Sequence, residues 1–356
     1  MNDDLLADLR RRITAPADDP DRAGAARAAA ERWGTRAKPP GSLGRLEDVA
    51  VRMAGITGAC PPAVPSAPAV VVFAGDHGVV ADGSSAWPSD ITAAMVRTMA
   101  GGGAAINAFA TQAGAEVTLV DVGVSSDLSD LHALGRADVL DRRVRAGTDS
   151  LARGPAMSRA DALAAIAIGA AVADQRLDAG ADLLVGGDMG IGNTTASVAL
   201  IACLTRRDPD ALVGPGAGLP ADGLAHKQSL VRAGVDRAGG LDDPVTVLAE
   251  VGGLEIAALV GLHLASAARR VPTIVDGVIG GAALCVADAI APGTAAHAVG
   301  GHRSTEPAAT AALEHLGLEP LLTLDLRLGE GTGACLAIPL VQAACRALRD
   351  LADLPT

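Results

Sequence analysis

Short runs that are almost wholly apolar, separated by long alanine-rich stretches, leave this chain few ways to fold. The runs Ala69 to Phe73, Glu116 to Val120, Asp182 to Val185, Thr273 to Val275, His297 to Val299 and Leu321 to Leu326 have the length of strands. Stretches of helical length lie between them, such as Asp90 to Ala113, Ser158 to Leu177 and Leu254 to Ala268. A strand with one wet face alternates polar and apolar residues, whereas a strand covered on both faces does not. The pattern therefore predicts an α/β fold, with a parallel sheet covered by helices on both sides. At 356 residues the chain is long enough to bury a large core.

Both ends read differently. Asp4 to Ile13, Arg22 to Trp33 and Leu46 to about Ile56 read as three helices, and Pro61 to Pro68 as a link to the first strand. The last segment, Ala334 to Leu351, is expected to be helical and to pack back on them. No apolar run approaches the ~18–20 residues of a membrane span, and Asn2-Asp3-Asp4 is no export signal. A cytoplasmic protein with no membrane partner is expected. Acids outnumber bases 41 to 29 without a basic, aromatic-rich cluster, so nucleic acid is not an expected partner. Five cysteines without CxxC spacing read as small buried hydrophobes. Seven histidines form no HExxH, and no metal is expected.

Chemistry concentrates in two glycine-rich loops. GDMGIGNTT, Gly187 to Thr195, follows Leu183-Leu184-Val185; RLGEGTGA, Arg327 to Ala334, follows Leu322 to Leu326. In each, a strand pattern breaks into glycines, presents one acid and enters an apolar stretch of helical length. Backbone N–H groups at a helix start hold anions, and the carboxyl edge of such a sheet is where ligands bind. Gly190 and Gly192 would let amides approach an anion, with Asp188, Met189, Asn193 and Thr194 beside them. A plain strand-to-helix turn would need fewer glycines and polar residues. Glu330, between two glycines, has the character of a general base once burial raises its pKa. The loop Phe73 to Pro88 places Asp76, His77, Ser85 and Trp87 beyond the first strand, as a wall for a flat heterocycle. GHRSTE adds His302 and Ser304 at another strand end. The chain has only two lysines, Lys38 and Lys227, and three asparagines, while arginine is abundant. Lysines kept in such a chain mark places where a compact ammonium is needed; together with Asn193 they point to a site, Lys227 as a point charge for a phosphate.

Taken in order, KPPGSLGRLE, FAGDHGVVADG, MVRTMAGGGAAIN, GPAMSR, GDMGIGNTTAS, GGLEIAALVG, IVDGVIGGAAL, GHRSTEP and LEPLLTLDLRLGEGTGACLAIPL resemble the nicotinate-nucleotide–dimethylbenzimidazole phosphoribosyltransferases of cobalamin lower-ligand synthesis. The resemblance implies a Rossmann-like parallel sheet, a small helical domain formed from both termini (residues 1–57 plus 335–356, against 62–334 for the α/β catalytic domain) and a homodimer. It also implies that Glu330 is the catalytic base and that Asp188, Met189 and Gly190 line the nicotinate and phosphoribosyl site. Lys227 would contact phosphate, and Ser85 and Leu328 would line the benzimidazole pocket. Asp188 stands where the family usually has Glu, Ala217 where Thr is usual, Trp87 for a smaller aromatic, and Ala308-Ala309 where Gly-His is common.

The implied reaction transfers phosphoribose from nicotinate mononucleotide to dimethylbenzimidazole or a related base, without cofactor or metal. A nucleoside or nucleotide hydrolase, a diphosphate-sugar phosphoribosyltransferase and a non-catalytic nucleotide sensor are the rival readings. They are separated by nicotinate release without acceptor, by magnesium dependence, and by the effect of altering Glu330.

Overall fold

The protein, described here from a computed structural model covering residues 2–216 and 218–355, is built on one seven-stranded sheet. Its strands are β1 (Pro68–Gly75), β2 (Glu116–Gly123), β3 (Val139–Asp141), β4 (Leu183–Met189), β5 (Thr273–Val275), β6 (Ala298–His302) and β7 (Pro320–Leu322). They run in the order β3-β2-β1-β4-β5-β6-β7, and every pairing is parallel. The expected α/β class is therefore the observed one. Every residue of β1 is buried, as a strand flanked by neighbours and covered on both faces requires.

Alternate side chains of β1 feed two cores. Val71 and Phe73 pack with helices Arg159–Asp178, Asn193–Thr205, Leu254–Ala268 and Val278–Ile290 on one face. Val70, Val72 and Ala74 pack with Pro20–Trp33, Arg45–Thr57, Asp90–Ala100 and Thr332–Asp350 on the other. Arg159–Asp178 and Leu254–Ala268 cross at glycines: a Cβ on Gly169 would stand 1.8 Å from the Ala258 oxygen, so no other residue fits there. The C-terminal helix Thr332–Asp350 packs on Arg45–Thr57, and Arg32 Nε donates to the Leu348 carbonyl at 3.0 Å. The first helix, Asn2–Arg12, lies on the opposite face, with Leu6, Leu9 and Ile13 in the first core. Among the described residues no helix is long and apolar enough to cross a membrane. The five cysteines are all free, and four of them are buried.

Two local expectations need correction, and one strand joins the set. Asp90 to Ala113 is two helices, Asp90–Ala100 and Ala105–Ala113, because Gly101-Gly102-Gly103 ends the first and Gly102 adopts φ +80°. The run Leu321 to Leu326 pairs only through Leu322; this edge strand has β6 alone as neighbour, and Asp325 turns left-handed at φ +56°. Residues 323–329 instead form a loop in which Leu324 and Leu328 are exposed. Strand β3, three residues at the other edge, is an addition to the expected set.

Candidate active site

Strand order reverses between β1 and β4, since β2 and β3 lie to one side and β5 to β7 to the other. At such a switch point the loops leaving the carboxyl ends diverge and open a crevice. The crevice here is lined by Ser84 and Ser85, by Asp188 to Thr195, by Pro215, Gly216 and Lys227, by Asp276 to Ile279, by His302, Ser304 and Glu306, and by Arg327 to Gly329. Of the residues singled out from the sequence, Asp188, Met189, Gly190, Gly192, Asn193, Thr194, Lys227, Ser85, Leu328, His302 and Ser304 all meet in this one cavity. Trp87 does not: it is half exposed and stands outside the lining. Ala217 lies outside the described residues.

The loop after β4 can approach β1 only because of its glycines. A Cβ on Gly190 would lie 2.3 Å from the Gly75 carbonyl oxygen. Gly192, at φ +94°, then turns the chain into the helix Asn193–Thr205, whose first turn faces the cavity. Asn193 Nδ2 donates to Asp188 Oδ2 at 2.9 Å. Burial, followed by the nearby Asp276 and Glu255 carboxylates, pushes the Asp188 pKa well above its ordinary value, and the Asn193 hydrogen bond only partly opposes this.

Glu330 is held by the same loop. Its N–H donates to the Asp188 carbonyl at 3.1 Å, and its own carbonyl presses on Gly187, where a Cβ would stand 2.3 Å away. Gly329, Glu330 and Gly331 are all left-handed, at φ +85°, +63° and +85°. For a glutamate that conformation is strained, and strain of this kind clusters at functional sites. The cavity lining stops at Gly329. Immediately behind it the Glu330 carboxylate, 2% exposed, accepts from Ile106 N–H at 3.2 Å, at the start of the helix Ala105–Ala113. Burial raises its pKa, the Ile106 N–H lowers it, and Asp276 raises it again; the net direction is upward.

Lys227 reaches the cavity from the helix Ala221–Ala238 and donates to the Gly214 carbonyl at 2.9 Å. Burial lowers its pKa, and the facing Glu306 resists that. Glu306 Oε1 accepts from Gly216 N–H at 2.9 Å, and Asp276 Oδ1 accepts from Ala334 N–H at 2.9 Å. Several lining residues keep a buried polar atom without a partner: Ser84 Oγ, Thr195 Oγ1, Asp276 Oδ2, His302 Nδ1 and Glu306 Oε2. Buried polar groups are almost always satisfied, so this concentration in one cavity points to a polar ligand. Asp276 and Glu306 carry less weight in the sequence than they do here, although each follows a strand in a polar cluster.

Two expectations move away from the cavity. Lys38 pairs with Glu47 at 2.7 Å and lies 5.0 Å from the Trp33 ring centroid; it ties the N-terminal helices together. Asp76 and His77 sit beneath the site rather than in its lining. Asp76 Oδ2 accepts from Ser125 N–H at 2.8 Å, and His77 Nε2 meets Glu255 Oε1 at 2.6 Å. Burial opposes a charged His77, but Glu255 and Asp76 outweigh it and raise its pKa. Gly190 and Gly192 rest on this pair.

Among the described residues, Asp121, His132 and Asp141 form the one grouping with metal-ligand chemistry, away from the cavity. There His132 Nε2 faces Asp121 at 3.7 Å and Nδ1 faces Asp141 at 3.4 Å. Two nitrogens facing two different carboxylates suit an imidazole bridging them better than a shared ion.

A family model described as Phosphoribosyltransferase matches residues 18–355. The nicotinate-nucleotide–dimethylbenzimidazole phosphoribosyltransferase of Salinispora tropica is 48% identical over 325 residues, covering 88% of this chain and 89% of its own. The protein of the same name from Chloroflexus aurantiacus is 47% identical over 329 residues, 92% of each chain. The crystal structure of CobT from Thermus thermophilus superposes with a TM-score of 0.88 at 44% identity, over 93% of this chain and 97% of that one.

Proposed function

Because the chain belongs to the nicotinate-nucleotide–dimethylbenzimidazole phosphoribosyltransferase family, and is thus a pentosyltransferase, we propose that it moves phosphoribose from nicotinate mononucleotide to dimethylbenzimidazole, giving α-ribazole phosphate and nicotinate. The observation that carries this reading is the direct seam between the two glycine loops. A buried, pKa-raised acid at 330 is hydrogen-bonded through its backbone to Asp188, at the mouth of a helix whose first turn faces the cavity.

An imidazole nitrogen of the base attacks C1′ of the ribose while the bond from C1′ to the nicotinate ring nitrogen breaks. The electron pair of that bond neutralises the pyridinium, so the leaving group departs without protonation. The attacking ring becomes cationic and loses its N–H proton to Glu330. One in-line displacement inverts the anomeric carbon from β to α. The activated bond leaves the protein mainly to position and to stabilise charge, and neither metal nor cofactor enters. Amides of Gly190, Gly192 and Thr194 hold the phosphate with Lys227, which exchanges the Gly214 carbonyl for it, while the Ile191 and Asn193 amides stay on Thr92 and Gly190. Ser85, Leu328, His302 and Ser304 complete the walls.

The cavity, about 110 Å³, is narrower than the ~300–1,000 Å³ typical of small-molecule sites. Entry of a nucleotide therefore requires the loops carrying Ser85, Gly216 and Leu328 to part. A homodimer in the cytoplasm is the assembly we propose, with a helical unit from the two termini beside the α/β body. Mass spectrometry of the purified protein with nicotinate mononucleotide and a panel of benzimidazoles tests the reaction. A ribazole phosphate formed in step with nicotinate is expected. Nicotinate released equally fast without acceptor would make the chain a hydrolase instead.

A further inference from the structure

A second cleft, about 760 Å³ in volume, lies between the helices Pro20–Trp33 and Arg45–Thr57 and the amino end of β6, and shares no residue with the catalytic cavity. Its floor is apolar, with Ala23, Ala26, Val49 and Val299. Three arginines line it, against Asp48 and Glu319. Arg45 pairs with Glu319 at 3.1 Å. Arg52 and Arg27 make no hydrogen bond or ion pair among the described residues, although Arg52 is only partly exposed. Burial lowers the Arg52 pKa.

The ground beneath the cleft is positive as well. Buried Arg22 and nearby Arg270 share one carboxylate, Asp19, at 3.1 and 3.4 Å. Arg22 Nη1 also donates to His297 Nε2 at 2.8 Å. Burial first, then Arg22, Arg270 and Arg52, hold His297 down to about 4, so the ring stays neutral beside this positive cluster. Arg22 and Arg270 thus share one acid, and Arg52, which has no ion-pair partner among the described residues, acts with them on the same His297, in a chain whose net charge is −12. A guanidinium taken from water without a partner is costly, and its planar fork matches carboxylate and phosphate oxygens.

We propose that this cleft binds a small organic anion, a carboxylate or phosphate monoester with an apolar body, held by Arg52 and Arg27 above the Val49 and Val299 floor. The volume lies within the ~300–1,000 Å³ typical of small-molecule sites. Its occupant touches Val299 and Gly300 of β6, the strand whose last residue, His302, lines the catalytic cavity.

Titration calorimetry at low salt tests this with phenyl phosphate and benzoate as probes. Benzyl alcohol serves as the uncharged control and inorganic phosphate as the control without an apolar body. Binding of at least one probe should survive Lys227→Ala, weaken about tenfold or more in Arg52→Gln, which corresponds to ~1.4 kcal/mol, and weaken less in Arg27→Gln. If Arg52→Gln fails to fold, Arg27→Gln and a loss of affinity with added salt decide the matter. The proposal is overturned by an absence of probe binding, by binding lost in Lys227→Ala and kept in Arg52→Gln, or by benzyl alcohol or inorganic phosphate binding as tightly as the probes. A change in sedimentation of Arg52→Gln would overturn it too, by assigning the cleft to a second copy of the chain.

Discussion

Replacing Glu330 with glutamine separates the proton acceptor from everything else the residue does. The amide keeps the side chain's volume, and its oxygen still accepts from Ile106 N–H. The left-handed backbone and the hydrogen bond to the Asp188 carbonyl are untouched. What is lost is the capacity to take a proton. A positioned base contributes about 10²–10⁴-fold, so turnover should fall by that factor, or ~2.7–5.5 kcal/mol of barrier, with nucleotide affinity retained. Stability should move the other way. The Glu330 pKa is raised above its ordinary 4.5, chiefly by burial. Its contribution to stability is thus fully present below pH 4.5 and is lost as pH rises through the raised value. The variant escapes that loss, so its Tm at neutral pH should equal or exceed that of the parent, with the gap closing towards pH 4. Steady-state kinetics and thermal melts across pH 4–8 read both effects. Near-normal turnover would remove Glu330 from the chemistry. A slow variant that is also several degrees less stable at pH 7 would mean that the carboxylate holds the loops together.

Lys227→Ala should raise the apparent KM for the nucleotide more than it lowers kcat, and an unchanged KM would contradict the phosphate role. Gly190→Ala places a methyl 2.3 Å from the Gly75 oxygen; the displaced loop should cost ~1–3 kcal/mol in a melt and weaken nucleotide binding, and a variant normal in both would refute the close-approach argument. The parent's kcat/KM should fall on the acid side as the raised Glu330 protonates, while Glu330→Gln should show no such limb, as a pH–rate profile would reveal.

Much of the sheet and cavity was legible in the sequence because the causes are local. Strands apolar on both faces announce a covered parallel sheet, and glycines that let backbone approach backbone stand out at 187, 190 and 192. What escaped depends on distance or on context. The His77–Glu255 contact joins residues 178 positions apart, and no local pattern encodes it. Strand β3 is three residues on an edge, too short for a periodicity to appear. The triple glycine at 101–103 was visible, but its role in starting a new helix beneath Glu330 needs the fold. Lysine scarcity pointed to Lys227, which lines the cavity, and equally to Lys38, where a compact cation between Trp33 and Glu47 is a packing solution.

The electrostatics of the cavity fit the proposed substrate better than the individual side chains do. Asp188 is destabilised as an anion first by burial, then by Asp276 and Glu255, and finally by Glu330; Glu330 is disfavoured in turn by burial and Asp276. Carboxylates that raise one another's pKa are short of positive charge. Within the lining, Lys227 and the exposed Arg327 sit near the proposed phosphate end, where the helix Asn193–Thr205 begins, and leave Asp188 and Glu330 with neutral hydrogen-bond donors alone among the described residues. Nicotinate mononucleotide brings the missing charge in its pyridinium ring. In the proposed reaction, positive charge would pass first to C1′ and then to the incoming base as the bond to that ring breaks, staying within the same cavity. The proposed proton transfer to Glu330 would then discharge the attacking ring. A neutral donor would arrive without that compensation, so the acid cluster favours a cationic leaving group before any specific contact to the ring is made.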